Sequence, residues 1–150
     1  VSVRQRRAPA AVALAAAVVL VPAAWASPEQ DYMLYCQGCH GDQAQGVPGK
    51  VPPLAGSIAL FMRSTEGRDY LLRVPGAANS ALPDVRLAAV LNWLAEHFPP
   101  VGGAVLNTVA PFTEAEVRES RRTPLANVKQ RRGEVVRSLA ASGPAPPPEY

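Results

Sequence analysis

Cys36, Cys39 and His40 stand together as C-Q-G-C-H, and they include both cysteines of the 150-residue chain. Two thiols three positions apart can be presented by one helical turn or a tight bend to a single flat edge. C-x-x-C-H is the attachment signature of c-type haem, in which both sulfurs become thioethers and the adjacent imidazole ligates the iron from one side. Two other chemistries use such cysteines. A thioredoxin-like dithiol sits after a strand in a βαβ unit, whereas this pair follows a helical pattern. Half of a zinc site needs two more ligands, and the remaining histidine, His97, lies near the end of a predicted helix. A disulfide between the two cysteines would close so small a loop that it would constrain the unfolded chain little.

The elements that must position these residues are legible on either side. Ser27, Pro28 and Gln30 form a capping-box start with proline at the first helical position, which predicts a helix of two to three turns running into Cys36. From Gly41 to Gly56 there is too much glycine and proline for helix or strand, and an extended loop along the haem edge is expected. A short helix is predicted in 65–76, with Thr65 or a neighbour as cap, Tyr70, Leu71 and Val74 inward, and Gly76 as its stop. The strongest pattern is Leu87, Val90, Leu91, Leu94 and Phe98, an amphipathic helix that Pro99-Pro100 must end. The fold class expected is all-α: a helical domain around the haem, with a short helical tail.

The flanks are of a different kind. Arg4, Arg6 and Arg7 precede an apolar run, Ala10 to Val21, and Ala24-Trp25-Ala26 has the form of a signal-peptidase site. Residues 1–26 are read as a signal peptide, with periplasmic export. The run is short for a membrane span, which takes about 20 residues, so membrane association is expected only if the segment stays uncleaved. The formal charge of +3 leaves with those three arginines. Residues 27–100 form the haem domain. Residues 101–141 form a helical extension, with Thr113 capping one helix, Thr123-Pro124 opening another, and Phe112 stapled to Val117. Residues 142–150 are read as a disordered proline-rich end. The stretch 118–137 carries seven basic and two acidic residues. It is read either as a solvated helix face or as a docking surface for an acidic redox partner. Nucleic acid is excluded as a partner, because no aromatic residues interleave with the arginines.

From Ser27 to Phe98 the chain resembles a small single-haem cytochrome c of the first, mostly helical class. The resemblance rests on the order helix, C-x-x-C-H, Gly/Pro loop, short helices and long terminal helix. It implies that Pro52, in P-P-L-x-G, offers its carbonyl to His40, and that Tyr32 and Trp93 pack where the first and terminal helices cross. It implies a single covalent haem c with its iron, one-electron transfer and no catalysis. The expected partners are a periplasmic dehydrogenase and an electron acceptor. The chain departs from the family at the sixth ligand: Arg73 to Asp84, where a methionine is expected, contains none. Asn79 is the candidate metal ligand in that window, with Met62, Met33, His97, water or an open position as alternatives. An open position would make the protein a high-spin or gas-binding haem protein, and a subunit of a larger redox complex is a further reading.

Overall fold

The structure, a computed structural model, describes residues 26–101 and 109–148. Residues 1–25, nearly all of the stretch read as a signal peptide, and residues 102–108 and 149–150 lie outside the described residues. Eight helices account for the regular structure there: α1 (Pro28–Tyr35), α2 (Gln37–His40), α3 (Ile58–Phe61), α4 (Thr65–Arg73), α5 (Pro75–Ala78), α6 (Asp84–His97), α7 (Glu114–Ser120) and α8 (Val128–Ser142). Among the described residues there is no strand, and extended pairing is confined to an isolated Val47–Val51 bridge. The all-α expectation holds.

α1 begins as the capping residues require. Ser27 Oγ accepts from the Gln30 amide at 3.2 Å, and Gln30 Oε1 accepts from the Ser27 amide at 3.0 Å. The short helix packs on α6 through two contacts of different kinds. Tyr32 and Trp93 meet ring to ring at 5.6 Å. Asp31, 1% exposed, is gripped by both sides of the Arg86 guanidinium, with Nε 2.9 Å from Oδ2 and Nη2 on Oδ1. A buried carboxylate is tolerated only when such a partner answers it. Leu87, Val90, Leu91 and Leu94 of α6 are buried as their spacing predicts, and Phe98 is half-buried.

Two helix boundaries differ from the expected ones. α4 is capped by a neighbour of Thr65, as expected: Ser64, whose side chain accepts from the Gly67 amide at 3.0 Å. It ends at Arg73, and Gly76 lies inside α5 instead of stopping α4. Proline at position 75 explains both, since it cannot continue α4 but suits the first position of a new turn. The last helix starts at Val128, not at Pro124. Asn127 is its cap, accepting from the Gln130 amide at 3.1 Å. Thr123 to Ala126 are drawn to α4 instead: Arg73 Nε donates to the Thr123 carbonyl at 2.7 Å, and the Leu125 amide donates to the Arg73 carbonyl at 2.9 Å.

The extension after the linker is fastened by polar contacts. Asn92 of α6 pairs with both backbone groups of Phe112, accepting from its amide at 2.7 Å and donating to its carbonyl at 3.0 Å. Arg68 of α4 meets Glu116 with two bonds of 2.6 Å, and Arg121 Nε lies 2.7 Å from Asp84. Phe112 and Val117 are buried on either side of the Thr113 cap, whose hydroxyl accepts from the Glu116 amide at 3.2 Å. Beyond α8, the carbonyls of Ser142 and Pro144 accept from Arg63, and that of Pro147 accepts from Arg132. The proline-rich end therefore lies against the body as far as it is described.

Asn92→Ala leaves a backbone donor and acceptor of Phe112 without partners. It is expected to lower unfolding stability by about 2–3 kcal/mol, measured by denaturant titration. Arg122→Ala, in an exposed pair with Glu119, is expected to stay within about 0.5 kcal/mol.

Candidate haem site

α2 is a single turn whose purpose is positional. The His40 and Cys39 amides both donate to the Cys36 carbonyl, at 3.0 and 3.2 Å, so both thiols and the imidazole are carried by one bend. Both cysteines are free thiols, the form from which thioethers are made. Burial, then the charges of Asp31 and Cys39, pushes the Cys36 thiol up to about 11, so it stays protonated. Among the described residues no group of three or more His, Cys, Asp or Glu side chains could hold a metal ion. A helix, α1, leads into the pair, so among the described residues neither the zinc nor the thioredoxin-like reading finds its surroundings.

His40 Nδ1 lies 3.0 Å from the Pro52 carbonyl oxygen. A carbonyl can only accept, so Nδ1 carries the proton and Nε2 keeps its lone pair, the form a metal ligand needs. Burial lowers the His40 pKa from its ordinary value, against a smaller opposing push from the Pro52 hydrogen bond. The ring is therefore neutral at neutral pH.

The loop that delivers Pro52 is built on backbone geometry. Gly46, at φ +68°, donates from its amide to the His40 carbonyl at 2.7 Å. A Cβ on Gly46 would lie 2.3 Å from the Val51 oxygen and 2.8 Å from the Pro52 oxygen. Ala44 is buried with φ +53°, and its carbonyl accepts from the amides of Leu54 and Ala55 at 2.8 and 3.0 Å. The Tyr32 hydroxyl donates to the Gly41 carbonyl, just after His40. Together these contacts hold the imidazole in one orientation.

Cys36, Cys39, His40 and Pro52 open onto a cavity of about 490 Å³. Its other walls are mostly apolar: Phe61, Leu71, Val74, Ala77 and Leu87. The extension contributes too, through Val128 and Arg132 of α8. Arg132 is 2% exposed, and its guanidinium carbon lies 5.3 Å from the Phe61 ring centre. The donor set fits a haem: a reduced thiol pair, a neutral imidazole fixed at Nδ1, an apolar cavity, and a buried cation suited to the porphyrin carboxylates. Arg132 had no distinguishing signal in the sequence, because six other basic residues surround it in 118–137.

The other sequence candidates lie elsewhere. Asn79 is exposed at the end of α5 and is not part of the cavity wall. Met62 is buried in the core beside α3, Met33 is 50% exposed on α1, and His97 stacks on Trp93 at 4.7 Å. None of these three lines the cavity.

Gly46→Ala is expected to push the Pro52 carbonyl away from His40. It should lower the thermal midpoint of the haem-loaded protein and the pH stability of its visible spectrum together. Acid is the direction of failure. A folded-state pKa below the usual histidine value means that the unfolded state binds the extra proton, so stability is lost as pH falls below about 6.5. A metal held by His40 would act in the same sense, and a spectrophotometric acid titration reads it.

No family profile matches the chain. Among characterised proteins, it is 35% identical over 105 residues to cytochrome c-552 of Thermus thermophilus, covering 57% of this chain and 78% of the relative. It is equally similar to the cytochrome c-552 of a particular strain of that organism, of which it covers 69%. The matched stretch of 105 residues is longer than 57% of this chain, so the relatives carry residues there that have no counterpart here. With the covalent-attachment triplet on one bend and a fixed imidazole facing an apolar cavity, the extent of that likeness makes the chain a member of the cytochrome c family.

Proposed function

We propose that the chain is an exported one-electron carrier that passes electrons between a dehydrogenase and an acceptor outside the cytoplasm, through one haem bound by Cys36, Cys39 and His40. Covalent haem c and electron transfer without catalysis follow from membership of the family. The haem supplies a metal that alternates between ferrous and ferric states. The chain's own residues do the rest: Pro52 holds the His40 ring, the apolar wall excludes water, and Arg132 brings positive charge to the cavity. The observation that carries the reading is the His40 Nδ1 to Pro52 oxygen bond of 3.0 Å beside the paired thiols.

Export is supported by the basic start, the apolar run and Ala24-Trp25-Ala26. Among the described residues no helix is long and apolar enough to cross a membrane. For partner docking, the basic extension has less to offer than its composition suggests. Arg121 and Arg118 face Asp84, Arg131 faces Glu134, and Arg132 is buried. Exposed apolar side chains stand on the segments around the cysteines: Leu34 and Tyr35 directly before Cys36, with Tyr35 also lining the cavity, and Val47 on the loop that follows. This rim suits a partner that approaches by apolar contact.

Produced in a host with cytochrome c maturation, the protein is expected to hold one haem per chain that survives acid denaturation, and to titrate as a single one-electron couple. A colourless product, or pigment released by acid, overturns the assignment. Arg132→Gln removes a cation that favours the reduced form, so the midpoint potential is expected to fall, by the equivalent of about 1 kcal/mol. Leu34→Asp is expected to slow electron exchange with the partner while leaving the potential unchanged.

A further inference from the structure

We infer that this chain leaves the metal position across from His40 to a small neutral diatomic ligand of the ferrous state, such as carbon monoxide or nitric oxide, and supplies no ligand of its own there. The inference rests on the haem attachment proposed above.

The sulfur and imidazole groups of the entire chain are Met33, Met62, Cys36, Cys39, His40 and His97. Three of these serve the attachment site. The other three are committed elsewhere: Met33 to the solvent face of α1, Met62 to the core, and His97 to the Trp93 ring. Asn79 is outside the cavity wall as well.

The connection from α4 to α6, the window in which the resemblance places a sixth ligand, is held by its own hydrogen bonds. The Ala77 and Ala78 amides donate to the Val74 carbonyl at 3.0 and 2.9 Å, and those of Asn79 and Ser80 to the Pro75 and Ala77 carbonyls at 3.0 and 3.1 Å. Ser80 Oγ accepts from the Leu82 amide at 3.2 Å, and Arg121 of the extension donates to the Leu82 carbonyl at 3.0 Å. What this connection presents to the cavity is Val74, Pro75, Gly76 and Ala77, which are short and apolar, followed by Ser80. Such a wall leaves room and offers no sulfur or nitrogen donor, its Ser80 hydroxyl already accepting from the Leu82 amide, and a small uncharged ligand enters apolar surroundings at little desolvation cost. Lys50, the amine in the cavity lining, is exposed and stands two residues before Pro52 on the loop that fixes His40.

Gly76 gives the inference a constructive test. A Cβ built there meets nothing within 4 Å, and its φ is not in the left-handed range. Gly76→Met therefore places a thioether on this wall without a backbone clash. The purified haem-loaded protein is reduced and titrated with carbon monoxide, with the visible spectrum as readout. The wild type is expected to shift its main band fully in native buffer and to show no sulfur-to-iron band when oxidised. Gly76→Met is expected to gain that band and to bind carbon monoxide about tenfold or more weaker, as an internal ligand occupying nine-tenths of the population requires. Three results overturn the inference: a wild-type spectrum indifferent to carbon monoxide, a sulfur band in the oxidised wild type, or a Gly76→Met affinity equal to the wild type. Loss of the attachment reading looks different, because no acid-resistant pigment would then be present.

Discussion

The site depends on one hydrogen bond, from His40 Nδ1 to the Pro52 carbonyl, because it decides which imidazole nitrogen is available to a metal. Left buried and unanswered, that N–H would cost about 1–3 kcal/mol, and the ring would be free to turn. The chain spends an unusual amount of backbone geometry on securing the acceptor. Gly46 lets the loop pass so close to Pro52 that no side chain fits between them. Ala44 accepts a left-handed conformation that alanine disfavours, and its carbonyl then holds the amides of both Leu54 and Ala55. The glycines and prolines of 41–56 therefore specify one rigid path, although their composition is that of a flexible loop.

The second constraint is closure of the cavity, and here the extension belongs to the site. α8 packs on α3 and α4 and brings Val128 and Arg132 to the cavity wall. Its position is determined by contacts made far from it: Asn92 on the Phe112 backbone, Glu116 on Arg68, Asp84 on Arg121, and the Arg73 carbonyl on the Leu125 amide. Each joins the extension to α4 or α6, the helices that carry Leu71 and Leu87 into the same cavity. Several basic residues that looked like a solvated or docking face are consumed in this way, as helix-to-helix fasteners or as a buried cation.

What was legible in the sequence was local. The Ser27–Gln30 cap, the α6 stripe from Leu87 to Leu94 and the C-x-x-C-H turn are fixed by residues within a few positions of one another, and they stand as expected. The Tyr32–Trp93 contact and the Pro52 acceptor were reached only through resemblance, since nothing in either neighbourhood names its distant partner. What escaped was tertiary. Thr123-Pro124 is a sound helix start by local rules, but the Thr123 carbonyl and the Leu125 amide both answer Arg73 instead, and Asn127 takes the cap. The Asp31–Arg86 pair is separated by more than fifty positions, and Arg132 differs from its basic neighbours only in which way its helix faces.

The short α4-to-α6 connection links these features to the electron-transfer role. A thioether ligand raises haem potential, and neither methionine lines the cavity. With the attachment proposed above, three features of the chain would bear on the potential: burial, the basicity that Pro52 lends His40, and the charge of Arg132. Of these, the basicity opposes the other two in sign: a firmer imidazole favours ferric iron, whereas an apolar cavity with a buried cation works against the added positive charge. The extension supplies that cation, and with it Val128 to seal the apolar wall. The extension, reaching the cavity through α8, thus contributes cover and positive charge to the same cavity that the short α4-to-α6 connection lines with small apolar groups.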